Sequence, residues 1–183
     1  MIDELLAEAQ GKMDQAITHT VDEFTTVRTG RANPGILHRI VVDYYGTETP
    51  LQQIAGFSVP EARMLVVQPY DKSSIQAIEK AIMKADLGLN PSNDGNVIRL
   101  LFPQLTEERR KELIRMVRHL AEDGRVAIRN VRRHTKDDIE SLEGDVSEDD
   151  VRRAEKVLQD MTDTHVHKID ELLAKKEEEL LEV

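Results

Sequence analysis

The sequence predicts an α+β protein in which a long antiparallel three-helix bundle carries an inserted small α/β domain. Long amphipathic segments lie at the start and in the second half of the chain, and the region between them holds short apolar runs typical of strands. Aromatic residues make up only 3% of the 183 residues, so the cores must be aliphatic. Because helices bury a stripe and strands an alternating row, this distribution predicts two separate cores. We place the bundle at residues 1–30 plus 105–183 and the inserted domain at 31–104.

The first long segment covers residues 2–28. Its apolar side chains recur at steps of three and four, which places them on one face of a helix. This stripe consists of Ile2, Leu6, Ala9, Met13, Ala16, Thr20, Phe24 and Val27. Gly30 suits the turn that ends the helix, and Pro34 prevents its simple continuation.

Two further segments predict the second and third helices. The second begins at Thr106, whose hydroxyl can cap it, and runs to residue 142, a length of about 55 Å. The third begins at Ser147, with Asp150 placed for a capping box, after a turn at Gly144. The second stripe is Leu113, Val117, Leu120, Gly124, Ala127, Val131, Thr135 and Leu142, and the third is Val151, Ala154, Leu158, Met161, His165, Ile169 and Leu172. Helices this long need partners, so we expect the three to pack together.

Residues 31–104 combine short strands with one helix. Apolar runs predict strands within 40–45, 51–59, 64–68 and 97–102. A helix is expected to begin at Ser73 and to close at Gly88. The run 90–95 faintly resembles a calcium loop, but Pro91 and the Leu101 that replaces the closing Glu favour a tight turn at Gly95.

Two short crossings connect the inserted domain to the bundle. They lie near 29–31 and near 104–106, and two such crossings are typical of a hinge. The predicted hinge residues are Thr29, Gly30, Arg31, Gln104, Leu105 and Thr106.

Charge is strongly sorted along the chain, whose formal net charge is −10. Residues 106–136 hold ten basic and five acidic residues, a net charge of +5, whereas residues 148–183 hold twelve acidic and six basic residues, a net charge of −6. This sorting predicts one surface for a polyanion and another that avoids it.

Most cations of the second helix fall on one ridge. At about 100° per residue, with Arg132 at zero, Arg125 lies at about 20°, Arg118 and Lys136 at about 40° and Arg129 at about 60°. On the same scale Leu113 and Val131 of the apolar stripe lie at about 260°, Gly124 at about 280° and Val117 at about 300°, so we expect the ridge to stand well clear of the core. Guanidinium groups match phosphates, and the scarcity of aromatics argues against base stacking. The ridge therefore favours structured RNA recognised through its backbone.

Other interpretations of the ridge stay open. It can pair with the acidic third helix without any function. The chain can also be a helical adaptor that binds a basic protein through that third helix, or a hydrolase with a site in the inserted domain.

The sequence contains no recognisable set of residues for catalysis, metal binding or nucleotide binding. The six histidines match no zinc motif, since His165 and His167 point to different faces of a helix, and no P-loop or nucleophile–base set is present. Cysteine is absent, which excludes disulfides and fits a reducing cytoplasm. The first residues lack signal-peptide features, and no run approaches the about 20 apolar residues of a membrane span. We expect a soluble cytoplasmic protein without a metal or cofactor.

Six segments, in order along nearly the whole chain, carry a family pattern. They are residues 27–34 (VRTGRANP), 44–47 (YYGT), 80–82 with 86–91 (KAI, DLGLNP), 105–111 (LTEERRK), 126–133 (VAIRNVRR) and 147–150 (SEDD). Each alone is weak, but the ordered set is specific. It resembles the bacterial ribosome recycling factor family.

The resemblance implies an L-shaped, tRNA-like monomer with the small domain on a hinge. It implies binding to the post-termination ribosome through large-subunit rRNA, and separation of the subunits with elongation factor G and GTP hydrolysis by that partner. The family is not an enzyme and needs no cofactor.

The resemblance also assigns roles to residues. The rRNA-contacting motif covers Arg129, Arg132 and Arg133, the hinge segment covers Arg28 and Arg31, and the start of the second helix covers Arg109 and Arg110. With the ridge included, the predicted rRNA-binding residues are Arg28, Arg31, Arg109, Arg110, Arg118, Arg125, Arg129, Arg132, Arg133 and Lys136.

Overall fold

The computed structural model describes residues 1–182, which form two compact units. One unit consists of Met1–Arg28 with Glu107–Glu182, and the other is Thr29–Thr106. In chain order the elements are α1 (Ile2–Thr26), β1 (Val41–Tyr44), β2 (Thr47–Pro50), α2 (Leu51–Ile54), β3 (Ala55–Glu61), β4 (Met64–Pro69), α3 (Ile75–Lys84), β5 (Pro91–Asn93), β6 (Ile98–Leu101), α4 (Glu107–Glu140) and α5 (Glu148–Leu181). Short 3₁₀ turns at Pro34–Leu37 and Lys72–Ser74 complete the described chain.

The helices α1, α4 and α5 form the predicted three-helix bundle. Helix α4 runs antiparallel to α5, because Arg118 bonds Glu177 near one end and Arg132 bonds Gln159 near the other. At Gly124 of α4, Thr20 and Ile169 approach from α1 and α5. The core is aliphatic apart from Phe24, and its buried apolar side chains are Ala9, Met13, Phe24, Val27, Leu113, Val117, Ala121, Ile128, Ile139, Val151, Ala154, Leu158, Ile169 and Leu180.

The predicted cap of the third helix is confirmed, whereas the first and second long helices end earlier than predicted. Ser147 caps α5, since its hydroxyl accepts a hydrogen bond from the Asp150 backbone N–H at 3.2 Å and donates to the Asp150 carboxylate at 2.6 Å. Helix α1 ends at Thr26, before an extended Val27, rather than at residue 28. Helix α4 ends at Glu140, so its 34 residues measure about 51 Å rather than 55 Å.

The core register of α4 differs from the predicted stripe. The structure buries Ala121, Ile128 and Ile139, whereas Ala127 is exposed and Leu142 lies beyond the helix end. The prediction followed apolar residues along one row, but a straight helix drifts relative to that row and brings the next position inward.

The second unit contains a four-stranded antiparallel sheet in the order β3-β4-β6-β5 and a separate β1-β2 hairpin. Two predictions were wrong here. Leu51–Ile54 forms one helical turn rather than the start of a strand, and Pro91–Asn93 pairs with β6 as a strand rather than belonging only to a turn. The tight turn itself is confirmed, because Gly95 has a φ of 90° and donates to the Asn93 side chain at 2.6 Å.

The core of this second unit is also aliphatic. Its buried residues are Ala32, Leu37, Ile40, Val42, Leu51, Ile54, Ala55, Leu65, Val67, Ile75, Ile78, Ile82, Ile98 and Leu100. The hairpin turns through Tyr45 and Gly46, whose φ values of 51° and 80° define the turn that matches the twist of two antiparallel strands. The Tyr45 hydroxyl bonds Asp71 and Ser73 at 2.8 Å each, which secures the turn.

Candidate nucleic-acid interface

The cation ridge of α4 borders the bundle core. On the angular scale with Arg132 at zero, the buried residues of α4 centre at about 305°, because Ala121 and Ile139 lie at about 340°. The ridge at about 0–60° is therefore adjacent to the buried face. The expectation that it stands well clear of the core was wrong, and the cause is the register shift described above.

Several ridge residues turn toward α5 and pair with it. Arg118 bonds Glu177 at 2.5 Å, and Lys136 lies 3.6 Å from Glu155. Part of the basic helix therefore pairs with the acidic third helix, as in the first of the alternative interpretations. Those α5 carboxylates are consequently engaged within the bundle.

Arg125 is the most enclosed of the paired ridge cations. Its side chain is 18% exposed and donates to Asp170 from Nε at 2.8 Å and from Nη2 at 2.6 Å. A third bond, 3.1 Å long, runs from Nη1 to Glu122 on its own helix. Arg125 therefore links α4 to α5 through charge-assisted hydrogen bonds.

The half-buried Arg132 lies at the boundary between the paired and the outward cations. Its Nη1 donates to the neutral Gln159 side chain of α5 at 3.1 Å. A neutral acceptor leaves the charge of Arg132 uncompensated.

The outward part of the ridge presents cations to solvent. Arg129 is half exposed and bonds Glu122 at 3.1 Å. Arg133 is exposed, and within residues 1–182 its side chain makes no hydrogen bond or ion pair. Arg115 has the same character and was missing from the predicted site. Its signal was present in the sequence, since 18 residues are about five helical turns and place it at the angle of Arg133.

The remaining predicted residues lie apart from the ridge. At the start of α4, Arg109 bonds Glu112 at 2.9 Å and Arg110 is half-buried. Arg28 and Arg31 are exposed on either side of the boundary between the units.

The predicted hinge residues all lie outside helices and strands. Gly30 has a φ of 75°, which favours glycine, and Ala32 donates to the Ala62 carbonyl at 2.7 Å within the second unit. At the return crossing, Phe102 donates to the Arg63 carbonyl at 2.7 Å, and Gln104, Leu105 and Thr106 follow without regular structure.

The carboxylate of Glu122 lies among the ridge cations and accepts hydrogen bonds from two of them. The pKa of Glu122 is lowered by hydrogen bonds from Arg125 and then from Arg129. Glu122 therefore stays ionised at neutral pH.

The outward guanidinium groups of Arg115, Arg129 and Arg133 span about 27 Å of helix, a spacing suited to several phosphates of one folded RNA.

Other kinds of site have little support in the described part of the chain. Residues 1–182 contain no group of three His, Asp or Glu side chains arranged to hold a metal ion. None of their helices is long and apolar enough to cross a membrane.

Comparison with known proteins shows the same pattern over the whole chain. Residues 20–181 match the family model described as "Ribosome recycling factor". The ribosome-recycling factor of Acidothermus cellulolyticus is 56% identical and that of Mycobacteroides abscessus 54% identical, each over the full length of both chains.

Solved structures of ribosome recycling factors are also similar to this chain. The solution structure of a ribosome recycling factor is 42% identical, covers 100% of this chain and 98% of its own, and superposes with a TM-score of 0.77. A second, 48% identical and covering 99% of each chain with a TM-score of 0.65, is from models of the T. thermophilus ribosome recycling factor and E. coli elongation factor G bound to the E. coli post-termination complex. The chain described here therefore belongs to the ribosome recycling factor family.

Proposed function

We propose that this chain binds the post-termination ribosome and, together with elongation factor G and GTP hydrolysis by that partner, separates it into subunits. Full-length family membership supports this proposal, as does the relative described in complex with elongation factor G on the post-termination ribosome. The observation that carries it in this molecule is the outward row of guanidinium groups on α4.

The interface with rRNA is proposed to be this outward row, flanked by the other predicted cations. Arg129 and Arg133 contact phosphates directly, and Arg132 stands beside them with its charge uncompensated. Arg115 extends the same face by several turns. Arg118, Arg125 and Lys136 contribute mainly by holding α5 in place, since their charges are already paired.

The two crossings at 29–31 and 104–106 are proposed to act as a hinge. Elongation factor G moves the small unit while the bundle, which is a stiff aliphatic rod, transmits force to the contacts between the ribosomal subunits. In this role the chain catalyses no reaction, needs no cofactor and acts as a monomer in the cytoplasm.

Co-sedimentation with ribosomes, read out together with subunit splitting, tests the proposal. Arg133→Gln removes an outward charge, and Arg152→Gln is the matched control because it removes an exposed charge from α5. We expect Arg133→Gln to weaken binding severalfold at an unchanged melting temperature, and Arg152→Gln to bind like the unmodified chain. Equal affinities for both variants would remove the outward row from the interface.

Salt dependence gives a second measurement of the same interface. Phosphate contacts release counterions, so the affinity should fall steeply as salt rises and the slope should become shallower by about one unit in Arg133→Gln. A flat response in the unmodified chain would refute the phosphate contacts.

The hinge is accessible to distance measurements because the chain contains no cysteine. Cysteines introduced at the exposed Glu48 and Glu178 can carry a donor and an acceptor dye on the two units. We expect the distance distribution to shift when elongation factor G with GTP is added to the ribosome-bound protein. An unchanged distribution during active splitting would reject the hinge.

A further inference from the structure

We propose that Asn130 recognises ribose: its side-chain oxygen accepts a hydrogen bond from the 2′-hydroxyl of the nucleotide that links the phosphates bound by Arg129 and Arg133. This inference rests on the proposed function, since it names what the same row of guanidinium groups requires of its ligand besides phosphate.

Asn130 lies on the face of α4 that is turned farthest from the bundle core. On the angular scale used above, the buried side chains centre at about 305°, so the opposite direction is about 125°. Arg133 at about 100° and Asn130 at about 160° lie on either side of that direction. Both side chains are exposed, so a ligand that reaches Arg133 also meets Asn130.

The amide of Asn130 has no role within the part of the chain that the structure describes. No hydrogen bond joins its side chain to another residue of 1–182. Asn is also a poor helix former, because its side chain competes for backbone hydrogen bonds, yet Asn130 lies in the interior of the 34-residue α4. A residue that weakens its helix and gains no contact in return points to a role outside the fold.

The amide supplies chemistry that the neighbouring guanidinium groups lack. Arg side chains only donate hydrogen bonds, and Asn130 is the one residue in the sequence of 126–133 whose side chain can accept one. The carboxylate of Glu122 originates about 12 Å earlier along the helix, and its negative charge is unfavourable beside a phosphate. The neutral oxygen of Asn130 can therefore accept from a hydroxyl that lies between two phosphates.

RNA places such a hydroxyl where the arginines bind. Arg129 and Arg133 are four positions apart, so their side chains are neighbours on the helix surface, and Asn130 is adjacent to both. Successive phosphates of one RNA strand are joined through a ribose, whose 2′-hydroxyl can donate as well as accept. A strand that bridges the two arginines thus presents its 2′-hydroxyl to Asn130.

A change of one atom in the ligand tests this contact. The probes are a short RNA duplex and the same duplex with 2′-fluoro in place of each 2′-hydroxyl, which keeps the phosphates and the A-form but removes the donor. At low ionic strength we expect the unmodified chain to bind the RNA duplex about two- to fivefold more tightly than the fluoro duplex. Asn130→Ala should bind both duplexes equally. Equal binding by the unmodified chain, or a preference that survives in Asn130→Ala, would overturn the inference.

Two further variants separate the oxygen from other effects. Asn130→Asp keeps an acceptor but adds a negative charge, so it should bind both duplexes more weakly and still prefer the one with hydroxyls. Gln15→Ala is the matched control, because it removes an exposed amide from α1 that bonds no other residue of the described chain. If Asn130→Asp shows no preference, or if Gln15→Ala also loses it, the inference is wrong.

Binding to isolated large ribosomal subunits gives a second readout. Asn130→Ala should weaken this binding about two- to fivefold without changing its salt slope, because no charge is removed, whereas Arg133→Gln should make the slope shallower. The melting temperature of Asn130→Ala should be equal or higher, since Ala is the better helix former, so unfolding would not explain the loss. A changed slope in Asn130→Ala would contradict a neutral contact.

Failure of the inference is distinguishable from failure of the proposed function. If Arg129→Gln and Arg133→Gln weaken large-subunit binding while Asn130→Ala keeps the preference for the hydroxyl duplex, the interface stands and the role of Asn130 is rejected. If neither arginine variant changes large-subunit binding, the interface is wrong and the inference is rejected with it.

Discussion

The bundle and the inserted unit differ in charge and in the range over which their charged side chains interact. Residues 1–28 with 107–182 hold 18 basic and 28 acidic residues, whereas residues 29–106 hold seven of each. In the bundle, Arg118 pairs with a carboxylate 59 positions away, and in the inserted unit Arg99 pairs with Asp94 five positions away. The bundle thus uses charge to join helices and, in the proposed function, to face a polyanion, while the inserted unit uses it to fix a local turn.

The largest effect is expected when the core of each unit is weakened separately, which tests whether the two units unfold independently. Ile128 in the bundle and Leu65 in the inserted unit are both fully buried. Replacement of either by Ala should lower the free energy of unfolding of its own unit by about 2–5 kcal/mol, because it leaves a cavity.

The two units have separate optical signals for this measurement. Tryptophan is absent and all three tyrosines lie in the inserted unit, so tyrosine fluorescence reports that unit, while far-UV circular dichroism is dominated by the long helices. In denaturant titrations we expect Ile128→Ala to shift the dichroism transition and Leu65→Ala the fluorescence transition. If either variant shifts both signals equally, the chain unfolds as one cooperative body.

Glycines in two bundle helices should respond in opposite directions to the same substitution. A Cβ on Gly124 would lie 2.4 Å from Thr20 Oγ1 and 2.8 Å from Ile169 Cδ1, so Gly124→Ala should destabilise the bundle by about 1–3 kcal/mol despite the better helix propensity of Ala. At Gly11, a Cβ would meet no atom of the described residues within 4 Å. Gly11→Ala should therefore stabilise α1 by about 0.5–1 kcal/mol in urea unfolding. A stabilising Gly124→Ala would show that the three helices are farther apart than described.

A smaller effect is expected at the polar contact between α1 and α5. The buried His165 has its Nδ1 2.6 Å from the Met161 carbonyl and its Nε2 2.8 Å from Asp14 Oδ1, and the hydrogen bond to His165 lowers the pKa of Asp14. Asp14→Ala should cost about 1 kcal/mol at neutral pH. Because the folded-state pKa is depressed, the contribution of Asp14 is present above its usual pKa and is lost as pH falls through the folded value. Urea unfolding at several pH values should show the two proteins converging in acid, and a constant difference would contradict the contact.

The smallest effect belongs to the turn of the inserted unit. Backbone N–H groups of Val97 and Asn96, with help from Arg99, lower the pKa of Asp94 to about 2. As for Asp14, the pKa is depressed in the folded state, so the stabilisation is present above about pH 4 and is lost as pH falls toward about 2. Asp94→Asn should flatten the acid response of the tyrosine signal in that window. A measured carboxyl pKa near its ordinary value would contradict the hydrogen bonds.

The sequence predicted the bundle better than it predicted the small unit. Steps of three and four located each long helix, and Ser147 marked the start of α5, because these signals depend only on neighbours within one or two turns. Leu51–Ile54 and Pro91–Asn93 were misassigned because short segments take their conformation from the strands beside them.

The candidate interface was visible in the sequence only in outline. The excess of arginine on α4 and the shared angle of its members were visible in the sequence. The division of that row into Arg125, which is paired across helices, and Arg133, which is open to solvent, was not visible. The pairing requires knowledge of which α5 residues face the ridge. Arg115 was missed because, with Arg132 at zero, it lies at about 100°, outside the about 0–60° that the ridge covers.

The sequence by itself determined the family, the three long helices, the aliphatic character of both cores and the sorting of charge, because each follows from composition or from local periodicity. Only the tertiary structure decided that the ridge borders the core, that Asp170 and Glu177 neutralise part of it, and that Glu122 connects the paired cations to the outward ones. These facts depend on contacts between residues far apart in the chain, where a rotation of one helix by a fraction of a turn changes which side chains meet.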